Sequence, residues 1–317
     1  MEVSFPIFPT VTPKHESHKM NPTKINIIVS SIPLADTRVI NLILLILGAT
    51  LNLSIILVIV SKPCMRTCFN LYIVSLACSN MLILLEPLEQ ILQWFFDISM
   101  KLNMDYICLI NFDVSVITIA ILKFVLYINI FQDQLPFGHT LLRRFTTIKG
   151  IILVWSASTI SLAIGLHIYD FFEGDMADIY VWNTIMFIIM PLVISLALDS
   201  LIIYELTILK AIEGSWRTKE LKHYLMLIIM AIAFFSIRMP YRLARAINFI
   251  EPKAPCCTDK MREVLYFIAK TFPTVFSLIY ILLSYDFHEA VQETLKYKYR
   301  KSHEKESSTK TDSDTII

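Results

Sequence analysis

One lysine stands alone in an otherwise apolar stretch: Lys270, within the segment Val264–Tyr285. A mid-membrane lysine costs about 3 kcal/mol on insertion scales, so such a residue snorkels, pairs with a carboxylate, or is kept for chemistry. The chemistry open to a desolvated amine is attack on an aldehyde to form a Schiff base. A second group sits upstream. Arg238, Arg242 and Arg245 repeat at i, i+4 and i+7 and so share one helical face. Buried guanidiniums need carboxylates or bound anions. The acids available to them are Asp113, Asp199, Glu86 and Glu89. The arginine row therefore reads either as interhelical salt bridges or as an anion-binding site.

The elements that position these residues follow from composition. A length of 317 residues would ordinarily suggest two soluble domains. However, 56% of the chain is hydrophobic and only 17% charged, with a mean hydropathy of +0.61. A soluble fold cannot hide that much apolar surface, so part of it faces lipid. Twenty Phe and thirteen Tyr against six Gly argue for helices rather than a barrel. A net charge of +1 excludes nucleic-acid binding through bulk electrostatics. The six cysteines form no C-x-x-C or Cys/His spacing, so no metal site is expected.

Seven spans are legible: Val39–Ser61, Thr67–Leu85, Tyr106–Phe131, Gly150–Tyr169, Ile179–Tyr204, Tyr224–Phe249 and Val264–Tyr285. Each is long enough to cross roughly 30 Å of hydrocarbon. The expected fold is all-α, a seven-transmembrane bundle over 37–285, with a short membrane-parallel amphipathic helix over 286–300. Residues 1–36 form a polar N-terminal segment and 301–317 a disordered tail. Lys and Arg are more frequent in the loops that lie inside if the N-terminus is outside. The chain is thus expected in the cell membrane, multi-pass, with an extracellular N-terminus and a cytoplasmic C-terminus. The first helix serves as its own insertion signal, since 1–35 lacks a cleavable leader.

Several ordered landmarks carry a resemblance. They are Asn52, the loop Lys62-Pro-Cys-Met-Arg66-Thr67, Asn70…Leu76-Ala77, Trp155, Pro191, Phe234…Pro240-Tyr241, and Tyr280 followed by Phe287. Together, over about Val39 to Tyr299, they resemble the rhodopsin-like (class A) G-protein-coupled receptors. The stretch Ala269-Lys270-Thr271-Phe-Pro273-Thr274…Tyr280 looks like the seventh helix of opsins, in particular the retinochrome-like branch. The resemblance implies retinal bound to Lys270, a pocket lined by Tyr241 and Arg238, and a counterion. Glu173, in Phe171-Phe-Glu173-Gly174, matches the second-loop counterion, with Asp113, Glu86 and Glu89 in reserve. It also implies a heterotrimeric G protein and arrestin as inner partners, besides membrane lipid.

The chain also departs from that family. Ile107 stands where opsins have a third-helix acid. The acid-Arg-aromatic triplet becomes Ile128-Asn129-Ile130, which leaves Glu220 without its arginine partner and predicts weak G-protein activation. Phe276-Ser277 replaces the seventh-helix Asn-Pro, Asn80 the sodium-binding acid, and Met104 one cysteine of the outer disulfide. Cys108, Cys256 and Cys257 remain near that end, with their pairing open. Arg238 replaces the tryptophan that packs on retinal, and a guanidinium there disfavours a protonated Schiff base. Asn129, Glu220 and Tyr280 mark the expected switch region. The leading expectation is an opsin-like light receptor or photoisomerase. The others are a ligand-activated receptor for a peptide or small anion, using Arg238, Arg242, Arg245, Asp113, Glu86 and Glu89, and a non-signalling scaffold.

Overall fold

The computed structural model describes residues 34–98, 104–130, 138–172, 176–251 and 259–293. They form helices α1 (Leu34–Ser61), α2 (Cys68–Ile83), α3 (Leu85–Phe96), α4 (Met104–Ile130), α5 (Gly138–Leu141), α6 (Arg144–Phe172), α7 (Met176–Glu213), α8 (Thr218–Ile250), α9 (Asp259–Ala269) and α10 (Phe272–Leu283). A last helix, α11, covers residues 285–293. No strand occurs among the described residues. Seven stretches are long and apolar enough to cross a membrane: Thr37–Ser61, Cys68–Phe96, Tyr106–Ile130, Arg144–Gly165, Val181–Glu213, Thr218–Asn248 and Lys260–Leu283. Within hydrocarbon every backbone amide must be paired inside its own segment, which is why such runs fold as helices. The chain is an all-α, seven-helix, multi-pass membrane protein.

Two spans are broken, and both breaks touch α1. The second span bends at Leu84, between α2 and α3. Pro87 explains the site, because it has no N–H to give the Ile83 carbonyl one turn back. Sequence reading ended this span at Leu85, before its first acid. The structure carries it on to Phe96, because Glu86 and Pro87 turn inward and are buried. The seventh span breaks at Lys270 and Thr271, between α9 and α10, again just ahead of a proline, Pro273. Asn52 of α1 clamps this point, donating to the carbonyls of Pro273 (3.0 Å) and Gly48 (2.8 Å). Gly48 permits the approach: a Cβ there would stand 3.0 Å from Leu84 and 3.4 Å from Thr274. One glycine of α1 thus receives the segments that follow both breaks.

The interior below this junction is a continuous apolar core. Ile55, Ile73, Leu76, Leu122, Phe234, Phe272 and Phe276 are fully enclosed in it. Phe272 and Phe234 meet edge-on at 5.3 Å, tying α10 to α8. Beside the core, Trp155 of α6 donates to Ser75 of α2 at 3.0 Å. Gly150, earlier on α6, faces Tyr72, and a Cβ added there would run into the Tyr72 hydroxyl. Gly150→Ala should therefore cost about 1–3 kcal/mol by overpacking, read as a lowered melting temperature in detergent. Adding Tyr72→Phe should recover part of the loss. An unchanged melt for Gly150→Ala would mean that α6 does not pack this closely on α2.

Candidate functional site

Lys270 sits at the break in the seventh span, where its side chain is 6% exposed and its Nζ lies 2.8 Å from Glu86 Oε1. Glu86 comes from the first turn of α3, one residue before Pro87. The two broken spans thus place an ammonium and a carboxylate against each other. Both ends of the pair are further held. The Tyr266 hydroxyl donates to Glu86 Oε2, Gln90 donates to Glu86 Oε1 at 3.2 Å, and Asn41 of α1 donates to Gln90. Lys270 Nζ also lies 4.6 Å from the centre of the Tyr266 ring. Among the counterion candidates, the structure brings Glu86 to Lys270. Glu89, on the same helix, makes no ion pair among the described residues. Glu173 lies outside the described residues.

The arginine row descends along α8 from the end of the bundle where the first span begins. Arg245, partly buried, donates to the Tyr241 hydroxyl at 3.3 Å. Arg242 is buried, with Nη1 3.2 Å from Asp113 Oδ1 and Nε 3.4 Å from Thr184 Oγ1. Its Nη2 donates to Asn183, and its guanidinium stands 4.4 Å over the Phe112 ring. The Arg242–Asp113 pair ties α8 to α4. Arg238, one turn deeper, is buried and donates to the Asn111 amide oxygen. The Asn111 amide nitrogen is committed to Ser79 Oγ at 2.8 Å, which fixes the oxygen towards Arg238. The rings of Phe112, Phe234 and Phe272 surround the guanidinium at 5.8 to 5.9 Å. Among the described residues no carboxylate is within ion-pair distance of Arg238.

Asp199 was expected among the arginine partners, and the structure places it elsewhere. It pairs with Lys123 at 2.6 Å, and Lys123 also donates to Ser195 at 2.6 Å. This pair, with Lys123 buried and Asp199 half-buried, joins α4 to α7. Its signal in the sequence is three charges in two mostly apolar spans, Asp113 and Lys123 in the third and Asp199 in the fifth, a pattern that shows possible partners but not which pairing forms.

Two connected spaces lie along the arginine row. A vestibule of about 300 Å³ opens at the end of the bundle, lined by Tyr241, Arg245, Asn248, Arg262, Glu263 and Tyr266. Beneath it, a slot of about 30 Å³ shares Tyr241, Arg245 and Tyr266 and adds Arg238, Arg242 and Phe112. A larger cavity, about 810 Å³, is an apolar cleft among α4, α6 and α7, walled by residues such as Ile117, Phe124, Ile164 and Met186 and not by Lys270. It faces outward and suits acyl chains.

The retinal expectation can be tested against this interior. Lys270 and Glu86 fit the requirement for an amine with a nearby anion. The polyene does not fit the slot: drug-sized ligands occupy roughly 300–1,000 Å³, whereas the slot offers about 30 Å³. Arg238, with Phe112, Phe234 and Phe272 around its guanidinium, stands where the resemblance puts the tryptophan that packs on retinal.

At the opposite end of the bundle, Asn129 is exposed and lines a cavity of about 400 Å³ with Arg66, Arg144, Lys219, His223 and Asp286. Asp286, at the start of α11, accepts Lys219 at 3.1 Å and lies 3.6 Å from His223, both on α8. The His223 imidazole beside it, helped by the Lys219 ammonium, holds the Asp286 carboxyl below the ordinary carboxylate range. The clamp's contribution is thus present above that range and lost as pH falls through the lowered value. Glu220 makes no ion pair among the described residues. Tyr280 is fully buried and donates to Asn70 at 3.0 Å. Among the described residues, no group of three or more His, Cys, Asp or Glu comes together to hold a metal.

No protein-family model matches the chain, and no characterised protein matches it in sequence.

Proposed function

We propose that this chain is a rhodopsin-like receptor of the cell membrane, activated by a ligand that brings an anionic group to the outer end of its arginine row. One observation carries the reading: Arg245 lines both the outer vestibule, together with Arg262, and the slot beneath it, together with Arg242 and Arg238. The vestibule is large enough for a small acid or the end of a peptide. A carboxylate that settles on Arg245 places new negative charge beside the Arg242–Asp113 pair. That pair couples the sixth span to the third, so the ligand has a route to bias the bundle between two arrangements, provided it binds them unequally.

The test uses short peptides with a free C-terminal carboxylate and their C-terminal amides. A fluorophore at Lys222→Cys, with the exposed cysteines replaced by serine, reports movement at the inner end of the sixth span. A charge-assisted hydrogen bond contributes about 1.5–3 kcal/mol, roughly a 10- to 100-fold preference for acid over amide. Arg245→Gln should erase that preference. Equal responses to acid and amide would overturn the reading.

A second reading, an opsin-like light receptor or photoisomerase, is favoured by the 2.8 Å approach of Lys270 to Glu86. The small volume of the slot counts against it. Both readings share a consequence at the inner end. Asn129 stands where the resemblance puts the G-protein-contacting arginine, so nucleotide exchange on a heterotrimeric G protein should be weak. Asn129→Arg should raise it severalfold. Strong exchange that ignores the substitution would mean that another contact serves instead.

A further inference from the structure

We infer that the slot between Arg238, Arg242 and Arg245 is a binding site for one small monovalent anion, a halide such as chloride. Arg242 has its carboxylate in Asp113. Arg238 is 4% exposed and has none among the described residues. A buried ion left without a partner costs several kcal/mol. Its ring contacts, at 5.8 to 5.9 Å, sit at the outer limit of cation–π attraction.

Donor geometry points the same way. A guanidinium carries five N–H groups, and Arg238 makes one hydrogen bond among the described residues, to Asn111. The slot that Arg238 faces is lined by three guanidinium side chains and two phenols, Tyr241 and Tyr266, and by no carboxylate. A water molecule there would accept hydrogen bonds but bring no charge. Size then selects the anion. About 30 Å³ holds a particle little larger than a water molecule. So small a space favours a monatomic halide over sulfate, gluconate or an organic acid. One negative charge is also what the unmatched Arg238 requires. The slot shares Tyr241, Arg245 and Tyr266 with the vestibule, but an anion beside Arg238 requires no ligand there.

The experiment uses the full chain purified in detergent, with chloride replaced stepwise by gluconate at constant ionic strength. Chloride should raise the apparent melting temperature by several degrees and saturate, as expected when an ion binds the folded state alone. Bromide should do the same and sulfate should not. Arg238→Gln should flatten the response. If that variant fails to fold, Ala269→Val, which adds bulk to the slot wall without touching an arginine, should flatten it instead. In crystals grown with bromide, an anomalous peak is expected beside Arg238. Identical melting in chloride and gluconate, or an anomalous map without a peak in the slot, would overturn the inference. Because these readouts involve no vestibule ligand, they stand apart from the peptide experiment.

Discussion

Glu86→Gln should destabilise the protein by about 3–5 kcal/mol, the cost of leaving one member of a buried ion pair behind. Lys270 has little freedom to escape: its side chain is 6% exposed, and it sits at a helix break fixed by Pro273 and the Asn52 clamp. The loss should appear as a lower melting temperature in detergent. The double replacement Glu86→Leu with Lys270→Met should recover most of it, because an apolar pair of similar volume has no desolvation cost to offset. If Glu86→Gln melted like the wild type, Lys270 would be neutralised by some other route and the junction of the two broken spans would have to be redrawn.

Arg242→Met is expected to be about as damaging, and for a related reason. It strands Asp113, whose side chain is 1% exposed, and removes the donors that Asn183 and Thr184 accept. Arg242→Lys should rescue little, since one ammonium cannot span partners on both α4 and α7 as the planar fork does. In a double-mutant cycle with Asp113→Asn, the coupling free energy should exceed about 1 kcal/mol, as for residues in one ionic network. Additive losses would show that the two side chains do not depend on each other.

Much of this was legible in the residues and part was not. Hydropathy alone located seven spans, because hydrocarbon demands long uncharged helices, and the structure agrees on their number and order. It misplaced the end of the second span, because Glu86 was read as a boundary charge. An acid inside a span looks the same in sequence as an acid at its edge until its partner, here Lys270, is known. The i, i+4, i+7 spacing correctly put Arg238, Arg242 and Arg245 on one face of α8. Which acid each would meet depended on helix packing, so Asp199 went to Lys123 and Asp113 to Arg242. The prolines 87 and 273 were visible, but not that both broken spans would converge on Gly48.

The proposed receptor takes an anion at its arginine row and binds no retinal at Lys270. The most direct measurement is to express the chain with 11-cis-retinal in the dark, reduce it with borohydride, and examine the Lys270 peptide by mass spectrometry. An unmodified Lys270 is expected, with a spectrum that matches the untreated protein. A retinyl adduct on Lys270, absent in Lys270→Ala, would contradict it.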